Sequence, residues 1–195
     1  MDQTKIGVYI CDCGVNISAT VNVAQVVQYA LQLPYVVTAK ENKYMCSEPG
    51  QNMIKDDIRQ LGLNRVVVAS CTPRMHESTF QTAVAEAGLN PYYFAMANIR
   101  EHCSWITRDS GQATAKAKRL VRSAVMRVAY QEPLDATQVP VTPTAMIVGA
   151  GIAGIQAALI IADAGYKVYL VEREPAIGGH MAELDKTFPT LDCST

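Results

Sequence analysis

The run Thr144-Ala-Met-Ile-Val-Gly-Ala-Gly-Ile-Ala-Gly154, followed by an apolar stretch, Lys167-Val-Tyr-Leu-Val-Glu-Arg173 and the Gly178-Gly179 pair, decides the fold. Gly149, Gly151 and Gly154 form G-x-G-x-x-G between a β-rich run (145–148) and a helical run (152–164). The motif carries meaning only in that strand–turn–helix context. Gly149 is expected to make the tight turn, Gly151 to admit a pyrophosphate and Gly154 to let helix and strand pack closely. The N–H groups of Ala150, Ile152 and Ala153 and the helix dipole would then face phosphate charge. Glu172, at the end of a second β-rich run, is placed to accept hydrogen bonds from an adenosine ribose, with Arg173 next to it.

A membrane helix is the competing reading, because no charge occurs from Ala136 to Ala162 and the small residues from Gly149 to Gly154 have helix-packing spacing. The β-rich run with its nearby prolines, and the acid at 172, argue against it. A net charge of -1 speaks against nucleic acid as the main partner. The apolar run Ile6–Ile10 is too short for a signal-peptide core, so a cytoplasmic protein without a membrane span is expected.

Upstream, strands are expected near 5–10, 35–39, 65–70 and 91–97. Helices are expected near 21–33, 48–61, 76–87 and 112–130, with Ser47 as a cap and Pro49 in a tolerant first turn. Alternation of this kind implies a parallel sheet flanked by helices. The predicted organisation is an N-terminal cysteine-bearing α/β domain (1–131), a proline-bearing linker (132–143) and an incomplete Rossmann-type domain (144–195) showing its opening β-α-β unit. Lys116, Lys118, Arg119, Arg122 and Arg127 on the longest helix read as a solvated face.

Five of the six cysteines, Cys11, Cys13, Cys46, Cys71 and Cys103, lie in the first domain, and none forms C-x-x-C. Each follows a predicted strand, so all fall on carboxyl-end loops, the ligand-binding edge of a parallel sheet. Soft thiolates gathered there suit an iron–sulfur cluster, with zinc second and small buried hydrophobes as the alternative. Four ligands suffice for one cluster, which leaves at least one bystander. His76 and His102 read as polar loop residues, and Trp105 as a packing residue. No general acid or base for bond-breaking chemistry is assignable.

Cys11-Asp-Cys-Gly-Val-Asn16, Cys46-Ser-Glu-Pro-Gly-Gln51, Ala69-Ser-Cys-Thr-Pro-Arg74, Asn98-Ile-Arg-Glu-His-Cys-Ser-Trp105, Gly178-Gly-His-Met-Ala182 and Leu184-Asp-Lys-Thr-Phe-Pro-Thr-Leu-Asp-Cys193 resemble the A subunit of heterodisulfide reductase. The resemblance covers essentially the whole chain. It implies an oxidoreductase of anaerobes, with FAD rather than NAD on the glycine loop, on Glu172 and Arg173, and on Gly178, Gly179 and His180. It implies a [4Fe-4S] cluster on four of the five N-terminal cysteines, with Cys193 a weaker candidate. It further implies B- and C-type subunits, hydrogenase or formate dehydrogenase subunits and ferredoxin as partners, a homodimer in the full-length form, and electron transfer, with bifurcation, to a disulfide acceptor. Family members continue beyond this point with a Cys-Ser-x-Cys motif, in which some carry selenocysteine encoded by a stop codon. The end at Cys193-Ser194-Thr195 then suggests a selenoprotein frame read short, with a split gene or a deliberately shortened chain as alternatives. Two other functions stand beside electron transfer: a non-catalytic docking or assembly fragment, and, more weakly, an NAD(P)-binding oxidoreductase.

Overall fold

The computed structural model describes residues 3–193. Ser194 and Thr195, on which the expectation about the chain's end bears, lie outside them. The chain divides into two compact units, Met1–Ala136 and Thr137–Thr195.

The first unit holds strands β1 (Ile6–Cys11), β2 (Val36–Asn42), β3 (Arg65–Ser70) and β4 (Phe94–Asn98), all parallel, in the order β2-β1-β3-β4. β1, β3 and β4 are apolar on both faces and almost entirely buried. Strands covered by helices on both sides carry continuous apolar runs of this kind. β2, at the sheet edge, alternates in burial instead. Helices α1 (Val23–Ala30) and α4 (Ser110–Ala129) pack together on one face, and α2 (Glu48–Leu61) and α3 (Pro73–Glu86) on the other. The chain steps from β1 outward to β2, then crosses back to β3. The crevice between the carboxyl ends of β1 and β3 is therefore the topological switch point, where such sheets bind ligands.

Several boundaries depart from the sequence reading. α1 is shorter, because Asn22 caps it by accepting a hydrogen bond from Gln25 N at 3.0 Å. α3 begins at Pro73, three residues early, since proline suits the first helical turn. Ser47 stands at the start of α2 without capping it, and its hydroxyl donates back to Tyr44 O at 2.6 Å. α4 buries Ala113, Ala117, Val121, Ala124, Val125 and Val128, opposite its basic residues.

The second unit is one β-α-β module: β5 (Thr144–Val148), α5 (Ile152–Asp163) and β6 (Lys167–Val171), the strands parallel and in register from Thr144–Lys167 to Val148–Val171. A four-residue helix, α6 (His180–Glu183), follows. Met146 and Val148 are 71% and 75% exposed, and among its described residues only Ala150 is fully buried. No helix among the described residues is long and apolar enough to cross a membrane. The chain is thus an α/β protein: a parallel-sheet domain followed by the opening unit of a Rossmann-type fold.

Candidate functional site

The glycine loop is held by backbone geometry. Gly149 has φ +100°, a conformation that a side chain would strain, and its N–H donates to Val171 O at 2.7 Å. A Cβ on Gly154 would stand 1.9 Å from Gly149 O, so helix and loop meet there with no room for any other residue. A Cβ on Gly149 or Gly151 would meet nothing within 4 Å. The loop is thus closed behind Gly154 and open in front, where the unpartnered amides of the first turn of α5 point. Gly178 N donates to Ala150 O at 2.7 Å, Gly151 and Gly178 form a parallel bridge, and a Cβ on Gly179 would lie 3.1 Å from Gly151 Cα. The glycine pair therefore seats directly on the loop.

Glu172 locks the arrangement. Its Oε2 accepts from Ala150 N at 2.7 Å, and its Oε1 from Arg173 N at 2.6 Å and Glu174 N at 3.0 Å. These amide bonds hold its carboxyl below the ordinary carboxylate range. The sequence reading assigned this acid to a ribose alone, whereas here it also ties the loop to the end of β6. Oε1 has both lone pairs engaged by those two amides, whereas Oε2 keeps a second lone pair for a hydroxyl. The side chains of Arg173 and His180 are exposed and pair with Glu174 and Glu183. A groove of about 470 Å³ runs along 172–183, past Glu172, Gly179 and His180.

The second candidate site lies at the carboxyl edge of the first unit. Cys11 ends β1, and its sulfur accepts from Cys13 N at 3.3 Å and Met45 N at 3.4 Å. Burial pushes its thiol up to about 11 against those two amides, with Cys13 and Cys46 close enough to repel its charge. Cys71 follows β3 across the crevice; burial raises its thiol, while Arg100, Glu101 and Cys13 all act on it electrostatically. Cys11, Cys13, Cys46 and Cys71 therefore share one neighbourhood.

Cys103 departs from them. It is fully buried, and its thiol donates to Ala113 O of α4 at 3.1 Å. Burial raises it too, and its charged neighbours are Lys116 and Arg119, not the other cysteines. The chain after β4 turns inward here, because Arg100–Ser104 forms a π-helical turn. Cys193 belongs to the second unit, exposed, in an isolated antiparallel bridge with Lys186.

Among the described residues no three His, Cys, Asp or Glu side chains stand close enough to hold a metal ion. Tetrahedral zinc needs four ligands around a single atom. In a cubane each cysteine holds a different iron, so the sulfurs stand farther apart. Four neighbouring thiols, one already facing two amide donors, fit that group.

Residues the sequence reading did not single out organise this edge. Asn98 Oδ1 accepts from the N–H groups of Arg100, Glu101 and His102 at 3.2, 3.0 and 3.4 Å, and so shapes the π-turn. An asparagine ending a strand is a recognised turn-former, which was the available signal. Arg100 donates to Cys13 Sγ at 3.2 Å and to Met75 Sδ at 3.3 Å. Trp105, expected as packing, is instead 56% exposed, with the Arg100 guanidinium 4.9 Å from its ring centre and its Nε1 donating to Asn16 Oδ1 at 3.3 Å. His102 lies within the π-turn, and His76 lies in α3, edge-on to Phe80.

Residues 145–187 match the FAD dependent oxidoreductase family. The whole chain is 57% identical to part of the A subunit of the H(2):CoB-CoM heterodisulfide,ferredoxin reductase of Methanothermobacter marburgensis, covering 100% of this chain and 30% of that protein. It is 57% identical to the second of two iron–sulfur A subunits of CoB--CoM heterodisulfide reductase in Methanopyrus kandleri, over 99% of this chain and 30% of the relative. A protein of Archaeoglobus profundus described as like the heterodisulfide reductase A subunit is 55% identical, over 99% of this chain and 28% of its own length. The chain thus spans about 30% of the length of these relatives.

Proposed function

By sequence the chain falls in the heterodisulfide reductase A family, and on that premise we propose that it forms the cluster-bearing and FAD-adenosine-binding part of an electron-transferring oxidoreductase. The observation that carries the proposal is the grouping of Cys11, Cys13, Cys46 and Cys71 around the sheet's switch point. In this reading they hold one [4Fe-4S] cluster, and Cys103 is the structural bystander. The amides of Cys13 and Met45 aimed at Cys11 support it, because N–H donors to sulfur stabilise thiolate ligands and raise a cluster's potential.

In the second unit, the open front of the glycine loop would take the FAD pyrophosphate on the amide groups of 152–154, whereas the N–H of Ala150, expected from sequence to face phosphate, is engaged by Glu172. Gly178 and Gly179 let backbone approach it, and Glu172 offers the remaining lone pair of Oε2 to the ribose. FAD, when bound, supplies two-electron chemistry and the cluster one-electron chemistry. The chain's own residues bind and orient these groups. As in the relatives' names, the acceptors proposed are a CoB-CoM-type heterodisulfide and ferredoxin; bifurcation of electrons between them is a further part of the proposal. B- and C-type subunits, together with hydrogenase or formate dehydrogenase subunits, are the proposed partners, in a cytoplasmic complex whose A-type component is a homodimer.

One observation favours a second reading. β5 and β6 leave Met146, Val148, Tyr169 and Val171 exposed, so this unit by itself buries little apolar surface. A docking or assembly fragment that binds no flavin follows from that. Anaerobic purification with iron, sulfide and flavin analysis separates the two. About four irons per chain support the cluster, and bound flavin supports the FAD loop. A colourless protein after anaerobic reconstitution refutes the electron-transfer reading.

A further inference from the structure

We infer that Arg100 and Glu101 form an opposed charge pair that positions Cys13 and sets the reduction potential of the group the N-terminal cysteines hold. The inference rests on the cluster reading above and goes beyond it by naming the residues that tune the site.

Arg100 is held on every side. Its Nε and NH2 donate to Glu101 Oε1 at 3.1 and 2.8 Å, and its guanidinium lies against the Trp105 ring. NH1 donates to Cys13 Sγ at 3.2 Å. The Arg100 side chain is 12% exposed, and that of Glu101 is 22% exposed. A thiol is a weak acceptor, and a desolvated guanidinium spends a donor on it poorly unless the sulfur carries charge. Cys13 is itself in the left-handed region, φ +50°, which a non-glycine residue rarely adopts. Backbone strain here presents its sulfur to the guanidinium. The π-turn that delivers Arg100 is a local insertion of the kind found at functional sites.

The electrostatics follow from the pair. Reduction would add one negative charge to the group the thiolates hold, and a guanidinium hydrogen-bonded to one of those sulfurs would favour the reduced form. The Glu101 carboxylate, just behind, offsets part of that charge. Removing Arg100 leaves Glu101 uncompensated and must lower the potential. Neutralising Glu101 must raise it. A residue pair with only a packing role cannot produce shifts of opposite sign.

The test uses the chain reconstituted anaerobically with iron and sulfide, reading the cluster's electron paramagnetic resonance signal through a redox titration. Arg100→Met and Glu101→Gln are each expected to change the one-electron reduction equilibrium at least tenfold, downward and upward respectively, which is 59 mV each way. Arg100→Lys should restore part of the Arg100→Met shift. Shifts of the same sign, or none in either variant, overturn the inference. If Arg100→Met loads no iron, Glu101→Gln decides alone: an upward shift upholds the inference and no shift refutes it. A wild-type chain that binds no cluster refutes the cluster reading itself, a result distinct from unshifted potentials in loaded variants.

Discussion

Tyr9→Phe isolates the polar contact buried in the N-terminal core. Tyr9 is fully buried on β1, and its hydroxyl donates to Asp57 Oδ2 at 3.0 Å. Asp57 is 4% exposed, and its other oxygen accepts from Lys40 Nζ at 2.7 Å. Deleting the hydroxyl removes a bond to a charged acceptor, which costs about 1.5–3 kcal/mol. The half-exposed Lys40 adds ~1 kcal/mol or less, because solvent screens it, so it cannot make up the loss. For a domain of this size the penalty lowers the melting temperature by about 5–12 °C.

The pH dependence is the sharper part. Burial first, and the Asp57 charge second, push the Tyr9 phenol well above its ordinary 10.0. The folded state therefore keeps a proton that the unfolded chain releases near pH 10. Its contribution is complete below that pH and declines as pH rises toward the folded value, by about 1.4 kcal/mol per pH unit. Phenylalanine cannot titrate, so the gap between wild type and variant should shrink from pH 10 upward and close near pH 11–12. Urea unfolding of both proteins from pH 8 to 11.5 measures it. A gap that stays constant over that range refutes the burial and the hydrogen bond assigned to Tyr9.

Three further outcomes are expected. Serine at Cys11, Cys13, Cys46 or Cys71 should abolish the iron–sulfur absorbance of the reconstituted chain. Cys103→Ser should keep about four irons per chain, because its thiol faces Ala113 O; equal loss in all five would remove the distinction. Gly154→Ala must move the loop by more than an ångström to relieve the 1.9 Å contact with Gly149 O, so flavin affinity should fall at least a hundredfold by fluorescence titration, whereas Gly88→Ala, outside this unit, should leave it unchanged. The Glu172 carboxyl, lowered by three amide donors, should titrate in an NMR experiment below the ordinary 4.5, so its hold on the loop is present above that pH and lost as pH falls further. A resonance titrating at or above 4.5 would show that the amides do not bind it.

What sequence and structure each reveal divides along covalent proximity. The glycine loop, β5, β6 and the acid at 172 were legible because turn, helix start and strand end lie within one short segment, and backbone rules govern each step. The parallel sheet was legible for a similar reason, since apolar runs alternate with helical periodicity. That all five N-terminal cysteines follow strands was legible too, and it pointed to the carboxyl edge of the sheet.

Which of the five belong together was not legible. Sequence spacing treats Cys103 like Cys71, because each lies just beyond a strand. The strand order puts β1 beside β3 and β4 at the edge, and the π-turn then swings Cys103 under α4 while carrying Arg100 back to Cys13. Arg100 and Cys13 are 87 residues apart, as no local pattern records. By itself the sequence determined the phosphate-type loop and the layered α/β plan. Tertiary structure alone decided the thiol set and the charges that face it, since sheet order and a single inserted turn fix directions in space that spacing along the chain does not.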